Sequence, residues 1–209
     1  MKKIWLWCLP ALWFLLSNCT KNAIDNLTTE ESRIYITNYD TTANFHTYRT
    51  FYISDSVALV RNNQLLAKRV DEVYTRFIAA FAQSLEARGY VRVAREANPD
   101  LGIALSQITN TTTNLISYND YGNYYGGYWD PFYWDYPGYN YYFPTYYGTY
   151  QTSETVLAID MFDLKNSSQN NQIKDVWSGM IRGSGIFTLA NVDSQVAALL
   201  QQSSYLQTQ

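Results

Sequence analysis

The sequence has few of the residue types from which most catalytic and metal sites are built. Among 209 residues, His46 is the only histidine, and Cys8 and Cys19 are the only cysteines. A metal site made of several histidines is therefore excluded, and a Ser-His-Asp relay would depend on His46 alone. His46 follows a cluster of turn-forming residues, so we interpret it as an exposed or half-buried turn residue. No Gly-x-Ser-x-Gly, P-loop or dinucleotide-binding motif is present.

Charged residues are sparse as well, at 16% of the chain, with fifteen basic residues against eighteen acidic ones. A net negative charge argues against a nucleic-acid partner. Asp160 and Asp163 lie three apart in a predicted strand, where their side chains point to opposite faces, so they would not act together on a glycosidic bond. The loop from 165 to 174 lacks the alternating acidic ligands of a calcium site. We therefore expect no catalytic residue, no metal and no cofactor, and we interpret Asp160 as a half-buried structural acid.

The beginning of the chain has the pattern of a bacterial lipoprotein signal. Two lysines precede an apolar run from Ile4 to Leu16, which as a helix would reach about 20 Å, short of the roughly 30 Å hydrocarbon core. A cleaved signal is therefore favoured over a permanent span. The residues Leu-Ser-Asn-Cys at positions 16 to 19 form a lipobox in which Asn18 replaces the usual small residue. We expect a signal peptide at 1–18 and acylation, palmitate included, at Cys19; a plain secreted form or an uncleaved form is the alternative.

A processed chain would carry no free thiol, because Cys8 is removed and Cys19 is acylated. Its stability would then come from packing and not from a disulfide. Two or three acyl chains hold a protein stably on a membrane, whereas one does not. Thr20 after the cysteine favours the outer membrane under the enteric sorting rule. We therefore expect a lipid-anchored protein of the outer membrane, on its periplasmic face.

Residues 19–31 are polar and aperiodic, as expected of a tether, and residues 32–209 are long enough for one domain. Hydrophobic residues spaced by three and four predict an amphipathic helix from about Asn63 to Arg88, ended by Gly89. A second, shorter helix is predicted over 193–205. Alternation and turn signals predict strands in six segments, the last two forming an antiparallel hairpin: Arg33–Tyr39, Thr50–Ile53, Tyr90–Val93, Leu101–Ile108, Glu154–Leu164 and Asp175–Ile181.

This order of elements predicts an α+β fold: a single domain in which two helices lie on one face of a mostly antiparallel sheet. The turn Asn98-Pro99-Asp100 would open one of the strands, with Asp100 as a turn former.

The segment from Tyr118 to Tyr150 departs from the rest of the chain. It contains thirteen of the twenty tyrosines, five glycines and three prolines, and it has no lysine or arginine. Glycine and proline at this density break regular elements, so we interpret it as a long insertion between two strands. We expect it to be separable from folding, since changing the length of a loop against which nothing packs has a small cost.

Three interpretations of the insertion remain open. Its aromatic residues could cover part of the sheet with wet hydroxyls, or the segment could be disordered. It could instead be a contact surface, because tyrosine and tryptophan are enriched where a group is apolar at one end and hydrated at the other. The absence of basic residues argues against anionic lipid as the specific target. The candidate contact residues are Tyr124, Tyr125, Tyr128, Trp129, Tyr133, Trp134, Tyr141 and Tyr142.

Four short stretches resemble a family of bacterial lipoproteins known as domain of unknown function 4136. They are Ile34–Asp40 leading to Phe51, Leu85–Tyr90, Asn98–Leu101 and Val176–Gly179, and the insertion rich in Gly, Tyr and Trp is also typical of that family. The resemblance implies an envelope lipoprotein with this fold and implies no activity. The arginine that usually follows the hairpin tryptophan is replaced here by Ser178, so no basic role is expected at that position.

We therefore expect a non-enzymatic, lipid-anchored envelope protein, a structural or assembly component that contacts an envelope protein or glycan through its aromatic insertion. The alternative is a lipoprotein that binds a small molecule or glycan in a pocket under that insertion.

Overall fold

One open sheet forms the centre of the protein, in a computed structural model that describes residues 28, 30–62, 64–110, 115–117, 130–142, 147–149, 154–169 and 171–208. The main strand order is β1-β10-β9-β5-β2-β3, with short β4 beside β2, β7 beside β10, and a separate pair β6-β8. The strands and helices of the described residues are β1 (Ile34–Tyr39), β2 (Thr50–Arg61), β3 (Gln64–Arg69), α1 (Glu72–Glu86), β4 (Val91–Arg92), β5 (Leu101–Asn110), β6 (Leu115–Ser117), β7 (Asn140–Tyr142), β8 (Tyr147–Thr149), β9 (Glu154–Asp163), β10 (Gln172–Arg182) and α2 (Val192–Gln201).

Most neighbouring strands run antiparallel, and β2 and β5 form the parallel pair at the centre. Parallel neighbours require a crossover, and the segment between β2 and β5 supplies it with α1. Helix α2 then packs beside α1. The predicted α+β fold, with a mostly antiparallel sheet and two helices on one face, is confirmed.

The helix face of the sheet is organised around Trp177, which is fully buried. Its ring lies 5.7 Å from that of Phe81 on α1, and its Nε1 donates a hydrogen bond of 2.9 Å to Ser203 Oγ. A Cβ at Gly179 would lie 2.5 Å from the Trp177 ring and 2.8 Å from Leu199 Cδ2. Glycine at position 179 therefore lets both helices approach the sheet.

Helix α1 begins at Glu72, so the predicted start near Asn63 is wrong. Asp71 has an extended backbone and accepts a hydrogen bond from Tyr74 N, which makes it the N-cap. The preceding residues Gln64–Arg69 form β3, an edge strand antiparallel to β2. These residues are good helix formers, but pairing with the long strand β2 overrides that preference. Leu66 and Val70, which belong to the predicted apolar stripe, are exposed.

The end of α1 and the end of the chain are joined by Arg88. Its guanidinium donates hydrogen bonds to the carbonyls of Leu200, Ser203 and Leu206, which satisfies the end of α2. Gly89 has a φ of +94°, as predicted for the residue that ends the helix, and Thr208 lies against it. No helix in the described part of the chain is long and apolar enough to cross a membrane.

The sheet also has an apolar outer face, opposite the helices. Its buried side chains form a second core that extends across β2, β5, β9 and β10: Ala58, Val60, Ala104, Ile108, Val156, Ala158, Phe162, Ile173 and Met180. Neither α1 nor α2 covers this face.

We predict that Phe77→Ala lowers the free energy of unfolding by about 3–5 kcal/mol, because Phe77 is fully buried on α1. His46→Ala should change it by no more than about 0.5 kcal/mol, because His46 lies half-buried in a short 3-10 turn. Denaturant titration measures both values. The reverse order would contradict the assigned helix face.

Candidate functional site

Residues 130–142, the central part of the insertion, form a layer on the outer face that we call the aromatic cover. It begins with a 3-10 helix, Pro131–Trp134, whose first turn is capped by Asp130 Oδ1 accepting from Phe132 N at 3.0 Å. It ends with β7, which pairs in parallel with the beginning of β10. The expectation that the insertion has no regular structure is therefore wrong for this part, because its backbone joins the main sheet.

Trp134 attaches the cover to the sheet. It is only 3% exposed, and its ring centroid lies 6.1 Å from that of Tyr52 and 5.8 Å from that of Phe162. A Cβ at Gly102 would lie 2.7 Å from the Trp134 ring. The contact between indole and backbone thus requires glycine on β5. The premise that nothing packs against the insertion is wrong for residues 130–142.

Polar contacts hold the edges of the cover. The Tyr136 hydroxyl donates to the carbonyl of Leu164 at 3.0 Å, and Arg95 Nη1 donates to the carbonyl of Tyr133 at 2.9 Å. The hydroxyls of Tyr52 and Tyr133 share a hydrogen bond of 3.1 Å. These tyrosines therefore combine apolar packing with satisfied polar ends.

The fold brings cations to an insertion that has none of its own. Lys68 Nζ lies 4.6 Å and Arg95 Cζ 5.3 Å from the centre of the Tyr133 ring, within cation–π range. Lys174, which also pairs with Asp40, lies 5.8 Å from the Tyr142 ring. Burial lowers the pKa of Lys68, and the charge of Arg95 contributes in the same direction. The rim of the cover is thus both aromatic and basic, a property that the composition of the insertion did not indicate.

Two aromatic side chains of the cover face outward. Phe132 is 68% exposed and Tyr142 is 45% exposed. Phe132 was not among the predicted contact residues. The signal that could have found it is its position two residues before Trp134 in a tight turn, which places the two side chains on different sides.

The predicted contact residues therefore differ in how exposed they are. Tyr142 is exposed, and Tyr133 and Tyr141 are half-buried. Trp134 is a core residue whose ring packs on Gly102. Its prediction as a contact residue is therefore wrong. The predicted lipidation site Cys19 and the remaining predicted contact residues lie outside the described residues: Tyr124, Tyr125, Tyr128 and Trp129.

A buried carboxyl lies on the outer face beside the cover. Asp160 on β9 is opposite Ala104 on β5 and Ser178 on β10, and it is fully buried, not half-buried as predicted. Its Oδ1 and the Oγ of Ser106 have no hydrogen-bond partner. Burial raises the pKa of Asp160 to about 7. Desolvation likewise raises the pKa of Tyr141 well above its usual value.

Other polar residues singled out by the sequence are used in the fold. Asp100 Oδ2 accepts from the backbone N of Arg49 at 2.6 Å and of Thr50 at 3.3 Å, and therefore fixes the beginning of β2 beside β5. Asp163 accepts from the Tyr48 hydroxyl at 2.8 Å on the helix face. Within the described ranges, no group of three or more His, Cys, Asp or Glu side chains could hold a metal ion.

An open mixed sheet with two helices on one face and an aromatic layer on the other defines an α+β domain of the kind expected from the motifs. Residues 36–203 match the family described as "Domain of unknown function (DUF4136)", and the chain belongs to that family. The crystal structure of a DUF4136 family protein from Bacteroides thetaiotaomicron is similar, with 26% sequence identity and a TM-score of 0.65. This likeness covers 85% of this chain and 99% of that one.

Two further solved structures show weaker likeness. The PelC dodecamer from Paraburkholderia phytofirmans has 16% identity and a TM-score of 0.39, over 85% of this chain and 99% of that one. A PDZ domain protein from Parabacteroides distasonis has 10% identity and a TM-score of 0.44, over 83% of this chain and 36% of that one. No protein of curated function gives a significant match.

We predict that Trp134→Ala lowers the free energy of unfolding by about 3–5 kcal/mol, as for other buried aromatic residues. Phe132→Ala, two residues away but exposed, should stay within about 0.5 kcal/mol. Urea titration of both variants makes the comparison. Equal midpoints for the two variants would show that the cover does not contribute to the core.

Proposed function

We propose that this protein is a non-enzymatic envelope lipoprotein, anchored through Cys19 on the periplasmic face of the outer membrane, that contacts a partner protein through the aromatic cover. One observation carries the proposal. The family motifs in the described residues are used in the fold, whereas Phe132 and Tyr142 of the cover leave 68% and 45% of their surface exposed.

The motif residues illustrate this division. Arg88 and Gly89 join α1 to the end of the chain, and Asp100 fixes the beginning of β2. Trp177 and Gly179 fit the helices to the sheet. A family signature used in this way defines a scaffold, and it supplies no group that would act on a substrate.

The rim of the cover has the composition of a protein contact surface. Aromatic residues and arginine are enriched at such interfaces, and a small number of them usually carry most of the binding energy. Phe132 and Tyr142 are exposed, and Arg95 and Lys68 lie against the ring of Tyr133. A partner that presents apolar and acidic groups would match this rim.

The register of β10 supports a partner away from the anchoring membrane. The domain begins with β1, whose first residue Ile34 lies opposite Arg182 at the end of β10. The cover pairs with Gln172 to Lys174 at the beginning of that strand. Lys174 and Arg182 are eight positions apart on β10, which is about 26 Å along the strand. A tether that leads from Ile34 to the lipid would therefore leave the cover on the far side of the domain.

A small-molecule pocket under the insertion is the weaker candidate. Trp134 fills the space above Gly102, and its ring reaches Phe162, so this part of the cover rests directly on the sheet. A glycan stacked on the exposed rings of Phe132 or Tyr142 would use the same surface as a protein partner.

We predict that Cys19→Ala abolishes membrane retention and leaves the domain folded, because the residues at 16–19 form the anchoring signal that the sequence indicates. Detergent-phase partitioning measures retention, and circular dichroism checks the fold. A variant that still partitions with membranes as the parent does would refute acylation at Cys19.

We also predict that replacing Phe132 and Tyr142 together by serine removes partner crosslinks in intact envelopes without changing stability by more than about 1 kcal/mol. The matched control replaces Leu66 and Val70 by serine, since these residues are 54% and 66% exposed but lie on or beside the edge strand β3. Equal loss of crosslinks in both variants, or loss in neither, would contradict a contact role of the cover.

A further inference from the structure

The carboxyl group of Asp160 lies in surroundings that destabilise a negative charge. It lies on the outer face of β9, in line with Ala158 and Phe162, and it is buried. Its Oδ1 has no hydrogen-bond partner. An ionised carboxylate without a partner in apolar surroundings has a high free energy, and such a group is neutral or becomes solvated.

The groups around Asp160 do not neutralise a negative charge. Tyr141 on β7 packs against Phe162 with ring centroids 5.5 Å apart, and its pKa is raised by burial first and then by the charges of Asp130 and Asp160. On β10, Asp175 lies opposite Phe162 and adds a second carboxyl to the same face. Arg182 lies four residues along that strand from Ser178, the residue opposite Asp160, a distance of about 13 Å. From Leu101 to Thr109, β5 has no titratable side chain, and Asp163 bonds to Tyr48 on the helix face.

We propose that Asp160 is a proton-dependent latch for the aromatic cover: the protonated carboxyl lets residues 130–142 rest on the sheet, and the ionised carboxylate drives them away from it. This inference goes beyond the contact role proposed above and does not depend on the lipid anchor. The outer face, with the small side chains of Ala104, Ala158, Ser106 and Ser178, becomes accessible when the cover leaves.

The cover is the element that moves, because β9 need not separate from β5 or β10, and only the short pair between β7 and β10 must part. Asp160 projects from one face of a central strand, and the hydrogen bonds of β9 to β5 and β10 lie in the plane of the sheet. Water reaches the carboxylate as soon as the cover lifts. Opening of this layer costs less than global unfolding, as is general for subglobal openings.

The direction of the pH dependence follows from the two states. In the closed state the pKa of Asp160 is about 7, and in the open, solvated state it returns towards its ordinary value of 3.8. Below pH 3.8 the closed state therefore has its full stability, and it loses stability as the pH rises from 3.8 towards 7. The opening constant should rise about tenfold per pH unit across this window and level off above it.

Hydrogen exchange of the full chain tests the latch. After correction for the intrinsic pH dependence of exchange, amides of 130–142 should open about fiftyfold more at pH 7 than at pH 5. Amides of α2 (Val192–Gln201) serve as the internal reference and should not follow this profile. Asp160→Asn, which imitates the neutral acid, should give a flat and closed profile. An NMR titration of the Asp160 carboxyl in the parent should show a midpoint near 7.

Two variants sharpen the test. Asp135→Asn, an exposed acid of the cover at a position with φ of +66° that asparagine also tolerates, should keep the parent profile. A profile of the parent that is already flat, a slope that persists in Asp160→Asn, or parallel opening of α2 would overturn the latch. Flattening by Asp175→Asn but not by Asp160→Asn would show that the other carboxyl is responsible.

Discussion

The structure depends on one constraint: both faces of the central sheet are apolar, and both must be covered. Helices α1 and α2 cover one face, and the aromatic cover lies on the other. Each covering layer meets the sheet through a buried tryptophan packed on a glycine. Trp177 fits against Gly179 under the helices, and Trp134 fits against Gly102 under the cover. A two-layer domain would leave the second face exposed to water, so part of the insertion completes the fold as a third layer.

Because of this constraint, the insertion contains two kinds of aromatic residue, those that pack on the sheet and those that are exposed. Trp134 and the half-buried tyrosines of the cover pack against the sheet, and the hydroxyls of Tyr136 and Tyr133 hydrogen-bond to the Leu164 carbonyl and the Tyr52 hydroxyl. Phe132 and Tyr142 are turned outward. The proposed contact surface is therefore presented by a layer that packs on the sheet. In its closed state this layer loses little conformational freedom on binding.

Elements that depend on local pattern could be predicted from the sequence. Alternation located β1, β9 and β10, and Gly89 marked the end of α1. The start of α1 was missed because residues 64–69 favour a helix in isolation, and only the pairing with β2 makes them a strand. Asp160 and Asp163 were correctly expected on opposite faces, but the full burial of Asp160 depends on segments that are distant in sequence. The cover itself could not be predicted, because glycine and proline in the insertion indicated a loop, while its packing partners Gly102 and Phe162 lie on other strands.

The most direct measurement is the free energy of unfolding of a chain in which residues 130–142 are replaced by a short Gly/Ser link, determined by urea titration beside the parent. If the cover completes the core, the free energy of unfolding of the shortened chain falls by at least the roughly 3–5 kcal/mol that one buried aromatic side chain contributes. Its transition then shifts to a much lower urea concentration. A shortened chain with the midpoint and cooperativity of the parent would show that the outer face needs no cover, and that the aromatic layer is not part of the fold.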